Sequence, residues 1–224
     1  SQACKDQFID LFPNLVITDA VGSSEGGANG LMMVGKGGAQ RSGPTVKAAP
    51  DSVVLGEDLR PVQPGEIGRL ARTGNIPLRY HKDPAKSAAT FVTGPDGTRY
   101  SIPGDFAQLE TDGSITLIGR GSVCINSGGE QIFPEEVEHA LKAHPHVFDA
   151  VVVGVPDERW GERVAAVIQP RAGTSPSLES VQDHCRNHVA GYKVPRQVTL
   201  VESMVRSPAG KSDYRWAREI AVAD

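Results

Sequence analysis

Four short segments of this sequence carry residue types that could do chemistry, and all four lie in glycine- or proline-containing stretches typical of loops. The first, residues 22–27, places Ser23, Ser24 and Glu25 between glycines. Backbone amides and hydroxyls in such a run can approach a phosphate, while the carboxylate can reach its metal. A flexible turn explains the same residues, and neither the Walker pattern nor G-x-G-x-x-G is present.

The other three segments offer a carboxylate, a guanidinium group followed by a glycine pair, and a lysine. Asp105 ends a predicted strand, where it could bind both hydroxyls of a ribose or simply belong to a turn. Arg120 precedes the glycines at 128–129, which permit either close approach by a narrow ligand or a tight turn. Lys211 closes the run 207–211 (SPAGK), whose composition alone indicates a solvated loop.

Charge and composition exclude several classes of partner. Lys and Arg number 23 against 27 Asp and Glu, so the net charge of -4 provides no basic field that would recruit nucleic acid or anionic lipid. Aromatic residues make up 5% of the chain, which argues against a stacking platform for single-stranded nucleic acid. An anionic ligand must therefore be held by local groups.

The cysteines and the apolar runs give expectations about the cellular location of the protein. The sequence has three cysteines, an odd number, at Cys4, Cys124 and Cys185, and no two of them form a C-x-x-C motif. This pattern predicts free thiols and no zinc site. It also predicts a reducing, cytoplasmic location. No apolar run approaches the roughly 20 residues that span a bilayer. The opening at Ser1, without Met or a secretory leader, predicts a cut inside a longer protein.

The elements that must position these residues differ between the two halves of the chain. Residues 53–55, 67–70, 106–109 and 114–118 have strand patterns, and Asp-Gly at 112–113 predicts a hairpin between the last two. The first half is therefore β-rich.

The second half alternates helix and strand. Pro134 predicts a helix start, strands are predicted at 150–155, 164–169 and 197–201, and a second helix is predicted between a cap at Ser175 and a stop at Gly191. The fold class is thus α+β.

In order and spacing, the four segments together resemble the adenylate-forming superfamily of acyl-CoA synthetases, luciferases and peptide-synthetase adenylation domains. Residues 22–25 (GSSE) are similar to its aromatic-Gly-x-Thr/Ser-Glu segment, and residues 102–105 (IPGD) to its Thr-Gly-Asp segment. Residues 119–138 resemble its hinge block, and residues 207–215 resemble its Pro-x-x-x-x-Gly-Lys signature. The stretch 127–138 (SGGEQIFPEEVE) is especially similar to the CoA-ligase branch.

The resemblance implies a two-step reaction that uses ATP, CoA and Mg²⁺: a carboxylic acid and ATP give an acyl-adenylate and pyrophosphate, and CoA then displaces AMP. The implied catalytic residues are Lys211, which bridges carboxylate and phosphate oxygens, and Glu25, which helps to hold magnesium. The implied nucleotide-binding residues are Gly22, Ser23, Ser24, Asp105 and Arg120, and the implied CoA-binding residues are Gly128, Gly129, Glu130, Trp160 and Tyr192. A place in the core explains Trp160 equally well.

Three positions depart from the family pattern. Val21 stands where an aromatic residue normally packs on adenine, and Pro103 stands for the Thr before Gly-Asp. Ser122 stands at the hinge position that is usually acidic or basic. These departures resemble features of one branch of fatty-acid or steroid-acid CoA ligases. They do not indicate lost activity, because Asp105, Arg120 and Lys211 are all retained.

The resemblance also implies the domain organisation. Residues 1–118 would be the β-rich end of a large adenylation domain, and 119–224 a small mobile C-terminal domain, with the hinge at about 120–123. The family's phosphate loop and most of its acyl pocket are missing from the sequence, so we expect a C-terminal fragment that is inactive alone. The alternatives are an acyl-AMP ligase or peptide-synthetase adenylation domain that loads a carrier protein, and a non-catalytic nucleotide-binding remnant.

Overall fold

The structure, a computed structural model, describes residues 2–36 and 44–223. The side chain of Cys4 lies outside the described part, whereas Cys124 and Cys185 are free thiols, as predicted. None of the helices in these ranges has the length and apolar character needed to cross a membrane. The chain divides into two compact units, one spanning Gln2–Gly121 and one that begins at Ser122.

The first unit is built on antiparallel strands. Its elements are α1 (Gln2–Leu11), β1 (Ile17–Ser23), β2 (Gly27–Val34), β3 (Thr45–Ala48), β4 (Ser52–Leu55), β5 (Ile67–Arg72), α2 (Pro84–Thr90), β6 (Phe91–Thr93), β7 (Arg99–Ser101), β8 (Asp105–Leu109) and β9 (Ser114–Arg120). In the described part of this unit, nine strands form one sheet in the order β1-β2-β3-β9-β8-β5-β7-β6, with β4 paired to β5. Val46, Val54, Leu70, Ala107 and Ile115 form a buried core.

The hairpin predicted at Asp112-Gly113 is confirmed and sets the register of β8 and β9. Gly113 adopts a φ of 78°, which glycine reaches without steric cost, and Asp112 accepts a hydrogen bond from the backbone amide of Ser114 at 3.0 Å. The resulting ladder pairs Asp105 with Arg120 at the far end. A register shift between Phe106 and Ala107 lies between the turn and this pair, so the turn and the shift together place the two candidate site residues opposite each other.

The second unit alternates helix and strand, and its α+β class is as predicted. Its elements are β10 (Ile125–Ser127), β11 (Glu130–Ile132), α3 (Pro134–Lys142), β12 (Val147–Asp157), β13 (Gly161–Pro170), α4 (Leu178–Arg186), β14 (Gln197–Leu200) and α5 (Tyr214–Ala223). The described strands form a sheet in the order β11-β10-β13-β12, and β14 pairs in parallel with β13.

Both faces of this second sheet are covered, because β12 and β13 alternate apolar side chains that are buried on either side. One face packs on α3 and α4 through Val137, Leu141 and Val181. The other face packs on α5 through Ala217 and Ala221. The near-continuous burial of β12 and β13 explains why their sequences are apolar runs.

Two predicted helix boundaries are wrong. The cap of α4 is Ser177, whose hydroxyl accepts the Ser180 amide at 3.2 Å, and not Ser175. The helix ends at Arg186, and Gly191 instead begins a short 3-10 turn. The hydroxyl of Ser177, and not that of Ser175, accepts the first helical amide, so the helix begins two residues later than predicted.

Candidate functional site

In the first unit, the glycine-rich segment is the turn that joins β1 to β2. A side chain at Gly22 would place its Cβ 2.6 Å from the carbonyl oxygen of Gly27, so this position has no room for one. The hydroxyl of Ser23 accepts the amide of Gly26 at 2.9 Å and closes the turn. Ser24 and Glu25 therefore lie at the tip, which is where an anion-binding loop would present them.

Glu25 is held by two contacts from distant parts of the same unit. Its Oε1 accepts a hydrogen bond of 2.6 Å from the hydroxyl of Tyr80, and its backbone carbonyl accepts one of 2.9 Å from Ser101. The hydrogen bond from Tyr80 lowers the pKa of Glu25 below its ordinary value, and the charges of Lys86 and Arg120 lower it further. Glu25 is thus an anchored carboxylate that is ionised at neutral pH.

Asp105 and Arg120 occupy the ends of β8 and β9. The Oδ1 atom of Asp105 lies 3.4 Å from Nε of Arg120, and the Arg120 side chain is about half exposed. The backbone around the pair is tight, since a Cβ at Gly121 would lie 2.8 Å from the ring of Phe106. The arrangement offers a carboxylate for a ligand's hydroxyl groups beside a cation for its negative charge.

The donor set at Glu25 suits magnesium as a partial ligand. Among residues 2–36 and 44–223, no group of three His, Cys, Asp or Glu side chains could enclose a metal by itself. Magnesium commonly keeps several waters and takes one or two carboxylates together with substrate phosphates. A single ionised carboxylate such as Glu25 fits that pattern.

In the second unit, Gly128 and Gly129 are the two-residue turn of the β10–β11 hairpin. Their φ angles are 61° and 89°, and the register pairs Ser127 with Glu130. A Cβ at Gly128 would lie 2.7 Å from the ring of Trp160, whereas a Cβ at Gly129 would meet no atom within 4 Å. Both glycines are thus required by the turn, and one side of Gly129 is open to a ligand.

Trp160 lies directly behind this turn and is flanked by two cations. Its backbone carbonyl accepts the Gly128 amide at 2.8 Å, and the guanidinium carbons of Arg159 and Arg196 lie 4.6 and 5.2 Å from its ring. The ring is half-buried, which leaves part of it accessible. Tyr192 is 43% exposed. The surface around Trp160 therefore combines an aromatic face with positive charge.

Lys211 projects from an exposed loop between β14 and α5. Gly210 has a φ of 77°, and the Lys211 amide donates to the Ser207 hydroxyl at 3.1 Å. Within the described part of the chain, the Lys211 ammonium group forms no ion pair. Its charge is accordingly available to a ligand.

Two further predicted site residues, Ser122 and Glu130, are both exposed. Ser122 is exposed in a short 3-10 helix, Gly121–Val123, at the position where the chain passes from one unit to the other. Glu130 is exposed at the start of β11. Within the first unit, Glu25 and Arg120 are close enough to interact electrostatically, and within the second, Gly128 and Trp160 are in contact.

Two supporting residues were missed by sequence reasoning. Tyr80 holds Glu25, and Arg72 on β5 donates to the carbonyl of Ala28 just after the glycine-rich turn. Arg72 also lies 3.6 Å from Asp51. No local pattern marks these residues, because each acts on a segment that is distant in the sequence.

Comparison with known proteins identifies the class first. Residues 136–211 match the family model of the AMP-binding enzyme C-terminal domain. This segment therefore belongs to the AMP-binding enzyme C-terminal domain family, and the resemblance read from the motifs is confirmed.

Individual relatives show which branch of this family the chain is most similar to. The chain is 55% identical to a medium/long-chain-fatty-acid–CoA/3-oxocholest-4-en-26-oate–CoA ligase of Mycolicibacterium smegmatis, over 98% of this chain and 40% of that protein. It is also 55% identical to a 3-oxocholest-4-en-26-oate–CoA ligase of Rhodococcus rhodochrous, with the same coverage. The chain thus spans 40% of the length of these curated relatives.

A solved structure supports the fold. The amide bond synthetase McbA of Marinactinospora thermotolerans superposes with a TM-score of 0.79 at 26% identity, and the match covers 90% of this chain and 41% of that one. The α+β architecture is therefore the one found in this class of enzyme.

Proposed function

We propose that this chain is the C-terminal part of an ATP-dependent acyl-CoA synthetase, which joins a carboxylic acid to CoA through an acyl-adenylate. The observation that supports this most directly is the 55% identity, over 98% of the chain, to a ligase named for fatty acids and a steroid acid. We accordingly propose a fatty or steroid acid as the acyl substrate, with ATP and CoA as co-substrates. Two free thiols among the described residues agree with a reducing, cytoplasmic location.

In the adenylation step, the first unit holds the nucleotide. Asp105 accepts hydrogen bonds from the ribose hydroxyls. Arg120, which lies opposite on the neighbouring strand, holds the Asp105 side chain in place. Gly22, Ser23 and Ser24 present small groups to the phosphate at the hairpin tip. Glu25 would hold magnesium in part, and the ion would supply positive charge at the phosphates.

Lys211 supplies the positive charge of this step. Its ammonium group bridges the attacking carboxylate and the α-phosphate, where negative charge develops in the transition state. Because the ammonium group has no ion-pair partner among the described residues, no salt bridge has to break when it binds these oxygens.

In the thioester step, the second unit admits CoA. The pantetheine arm is thin, and it passes the open side of Gly129, where no protein atom would meet even a Cβ. Gly128 and Trp160 lie at the same turn, Glu130 follows it directly, and Tyr192 is an exposed aromatic side chain of the same unit. An aromatic face such as that of Trp160 can stack on a purine. Ser122 lies at the junction about which we propose that the units reorient between steps.

The test is a comparison of the two half-reactions in the complete enzyme. Pyrophosphate release should require ATP and a fatty or steroid acid, and thioester formation should require free CoA rather than a carrier protein. Lys211→Ala should slow adenylation about 10²- to 10³-fold and leave thioester formation from supplied acyl-adenylate nearly unchanged. The control is Arg186→Ala, which removes an exposed cation from α4 of the same unit.

Three outcomes would contradict the proposal. Equal loss of both half-reactions would make Lys211 structural, and transfer to a carrier protein instead of CoA would favour the acyl-AMP ligase alternative. Absence of any acid-dependent turnover in the complete protein would favour a non-catalytic remnant. Because the chain spans 40% of its relatives, we expect the 224-residue chain alone to be inactive.

A further inference from the structure

Arg206 connects the Lys211 loop to the sheet of the second unit. Its Nε atom donates to Oδ2 of Asp149 on β12 at 2.9 Å, and Nη2 contacts the same oxygen. Its Nη1 atom turns the other way and donates to the carbonyl of Gly210 at 3.1 Å and to the hydroxyl of Ser212 at 3.3 Å. One guanidinium group therefore bonds the sheet on one side and both neighbours of Lys211 on the other.

The Lys211 loop, residues 207–211, is a small ring that is closed by hydrogen bonds to the backbone of Ser207. The Ser207 amide donates to the Lys211 carbonyl at 2.9 Å, and the Ser207 carbonyl accepts the Gly210 amide at 2.8 Å. Arg206 and Ser212 form an isolated antiparallel bridge at the base of the ring. Residues 207–211 are all exposed, so little packing holds them. The orientation of the ring relative to the sheet therefore depends strongly on Arg206.

Asp149 is a firm anchor for this contact. Its side chain is 15% exposed, its Oδ1 accepts the Ala150 amide at 2.9 Å, and Nζ of Lys142 on α3 lies 3.3 Å away. Burial alone would raise the pKa of Asp149, but the hydrogen bonds from Arg206, with the charges of Lys142 and Arg206, lower it below its ordinary value. The anchor is ionised at neutral pH and is fixed to both a strand and a helix.

We propose that Arg206, bonded to Asp149, is the positioning residue of Lys211: it holds the loop at the angle from which the lysine ammonium reaches the reacting carboxylate and phosphate. The proposal rests on the function proposed above for Lys211. A flexible four-carbon side chain gains precision only if its backbone is fixed. A displacement of about 1 Å at a reacting group can slow catalysis about 10²-fold.

The choice of arginine has a stereochemical reason. Two edges of the guanidinium plane are used at once, one toward the carboxylate and one toward the Gly210 carbonyl and Ser212 hydroxyl. A lysine could keep the ion pair with Asp149, but its single ammonium group cannot span both sets of acceptors. Arg206→Lys should therefore retain the charge and lose much of the positioning.

The kinetic test uses the complete enzyme with Arg206→Gln, Arg206→Lys and the matched control Arg186→Gln, which breaks the exposed Arg186–Asp183 pair. We expect Arg206→Gln to lower the kcat of adenylation about 10- to 100-fold with the KM for ATP changed less than about twofold. Arg206→Lys should be intermediate and the control unchanged. Thioester formation from supplied acyl-adenylate should continue at the parent rate in all three variants.

Several results would overturn the proposal. Equal loss of both half-reactions, or a loss that follows the fall in thermal unfolding midpoint, would mean that the ion pair only stabilises the fold. Adenylation that is normal in Arg206→Gln but severely reduced in Lys211→Ala would refute the positioning role alone. If Lys211→Ala also leaves adenylation unchanged, it is the proposed function of Lys211 that fails.

A second measurement does not depend on catalytic activity. Hydrogen exchange of the Gly210 and Lys211 amides can be followed in the 224-residue chain itself. In Arg206→Gln, these two amides should exchange at least about tenfold faster, while the amides of β12 and β13 keep the parent rates. Unchanged exchange at both loop amides would show that Arg206 does not hold the loop.

Discussion

The hydroxyl of Tyr80 donates a 2.6 Å hydrogen bond to Oε1 of Glu25, 55 residues earlier in the sequence. Tyr80 is itself held by the Lys86 ammonium group, 4.0 Å from its ring centre, and by the ring of Phe91 at 5.5 Å. Its backbone amide donates to the hydroxyl of Ser87 at 2.9 Å. The carboxylate proposed to assist magnesium is thus oriented by a phenol that is fixed on several sides.

Replacing that phenol should weaken the site without removing the carboxylate. Tyr80→Phe deletes the largest contribution that lowers the pKa of Glu25, so the pKa should rise toward its ordinary value and the carboxylate should become less ordered. We expect adenylation by the complete enzyme to fall about tenfold, a typical effect of one lost hydrogen bond to a charged group. The measurement is pyrophosphate release as a function of magnesium concentration.

The control for this experiment is Thr98→Val, which removes another hydroxyl-to-carboxylate hydrogen bond, from Thr98 to Asp96, in the same unit. That exposed bond has no proposed role, so adenylation and its magnesium dependence should match the parent enzyme. If Tyr80→Phe also matches the parent at every magnesium concentration, Tyr80 does not support Glu25 in catalysis.

The two glycines of the β10–β11 turn should respond differently to substitution. At Gly128, the methyl group of alanine would meet the Trp160 ring at 2.7 Å, so Gly128→Ala should destabilise the second unit by roughly 2 kcal/mol or more. At Gly129 the space is open, so the only cost of Gly129→Leu to stability should be backbone strain. The leucine side chain should, however, block the passage of CoA. Thermal unfolding and the two half-reactions together measure these effects.

Gly173 provides the matched control for Gly129, because it also has a positive φ, 74°, and no atom within 4 Å of an added Cβ. Gly173→Leu should therefore carry the same backbone strain while thioester formation continues. In Gly129→Leu, adenylation should be nearly intact and thioester formation reduced at least about 10²-fold. Similar rates of thioester formation in the two variants would show that Gly129 serves only the turn and does not line the path of CoA.

Local signals in the sequence predicted much of this structure, and contacts between distant segments account for what they missed. Asp112-Gly113 and Pro134 each determine a backbone conformation within a few residues, so the β8–β9 hairpin and the start of α3 could be predicted. The partners of Glu25 and Arg206 could not, because Tyr80 and Asp149 are 55 and 57 residues away and no periodicity relates them.

The start of α4 shows a second reason why the sequence alone does not predict every boundary. Ser175 and Ser177 are equally good caps by residue type, and only the position of the first helical hydrogen bond distinguishes them. The helix α5 was not predicted, although Asp213 caps it by accepting the Trp216 amide at 3.0 Å. Its apolar side fits the sheet face formed by β12 and β13, which is not evident before the sheet itself is known.

His144 and His184, which belong to a cluster of four histidines near α4, give the second unit a predicted pH dependence. The rings of His144 and His184 lie 5.0 Å apart, those of His144 and His146 lie 5.4 Å apart, and those of His184 and His188 lie 4.4 Å apart. Burial lowers the pKa of His144 below its ordinary value, and the neighbouring charges of His184 and His146 lower it further. Burial likewise lowers the pKa of His184.

The sign of the effect follows from these directions. A histidine whose pKa is lower in the folded state binds fewer protons there than in the unfolded chain, so stability rises with pH. The second unit should keep its full stability above the ordinary pKa of 6.5 and lose stability as the pH falls from there through the lowered values. The side chain of His144 is nearly buried and its Nε2 lies 3.0 Å from the Ser180 hydroxyl, so its protonation would charge a packed interface between α3 and α4.

Thermal unfolding of the chain between pH 7.5 and pH 5 measures this dependence. We expect the midpoint of the second unit to fall by roughly 5 °C more in the parent than in His144→Gln, which keeps a polar side chain but cannot be protonated. The control is His81→Gln, which replaces an exposed histidine of the first unit and should leave the unfolding midpoint of the second unit as in the parent. An identical pH dependence in His144→Gln and the parent would show that His144 takes up no proton on unfolding in this range.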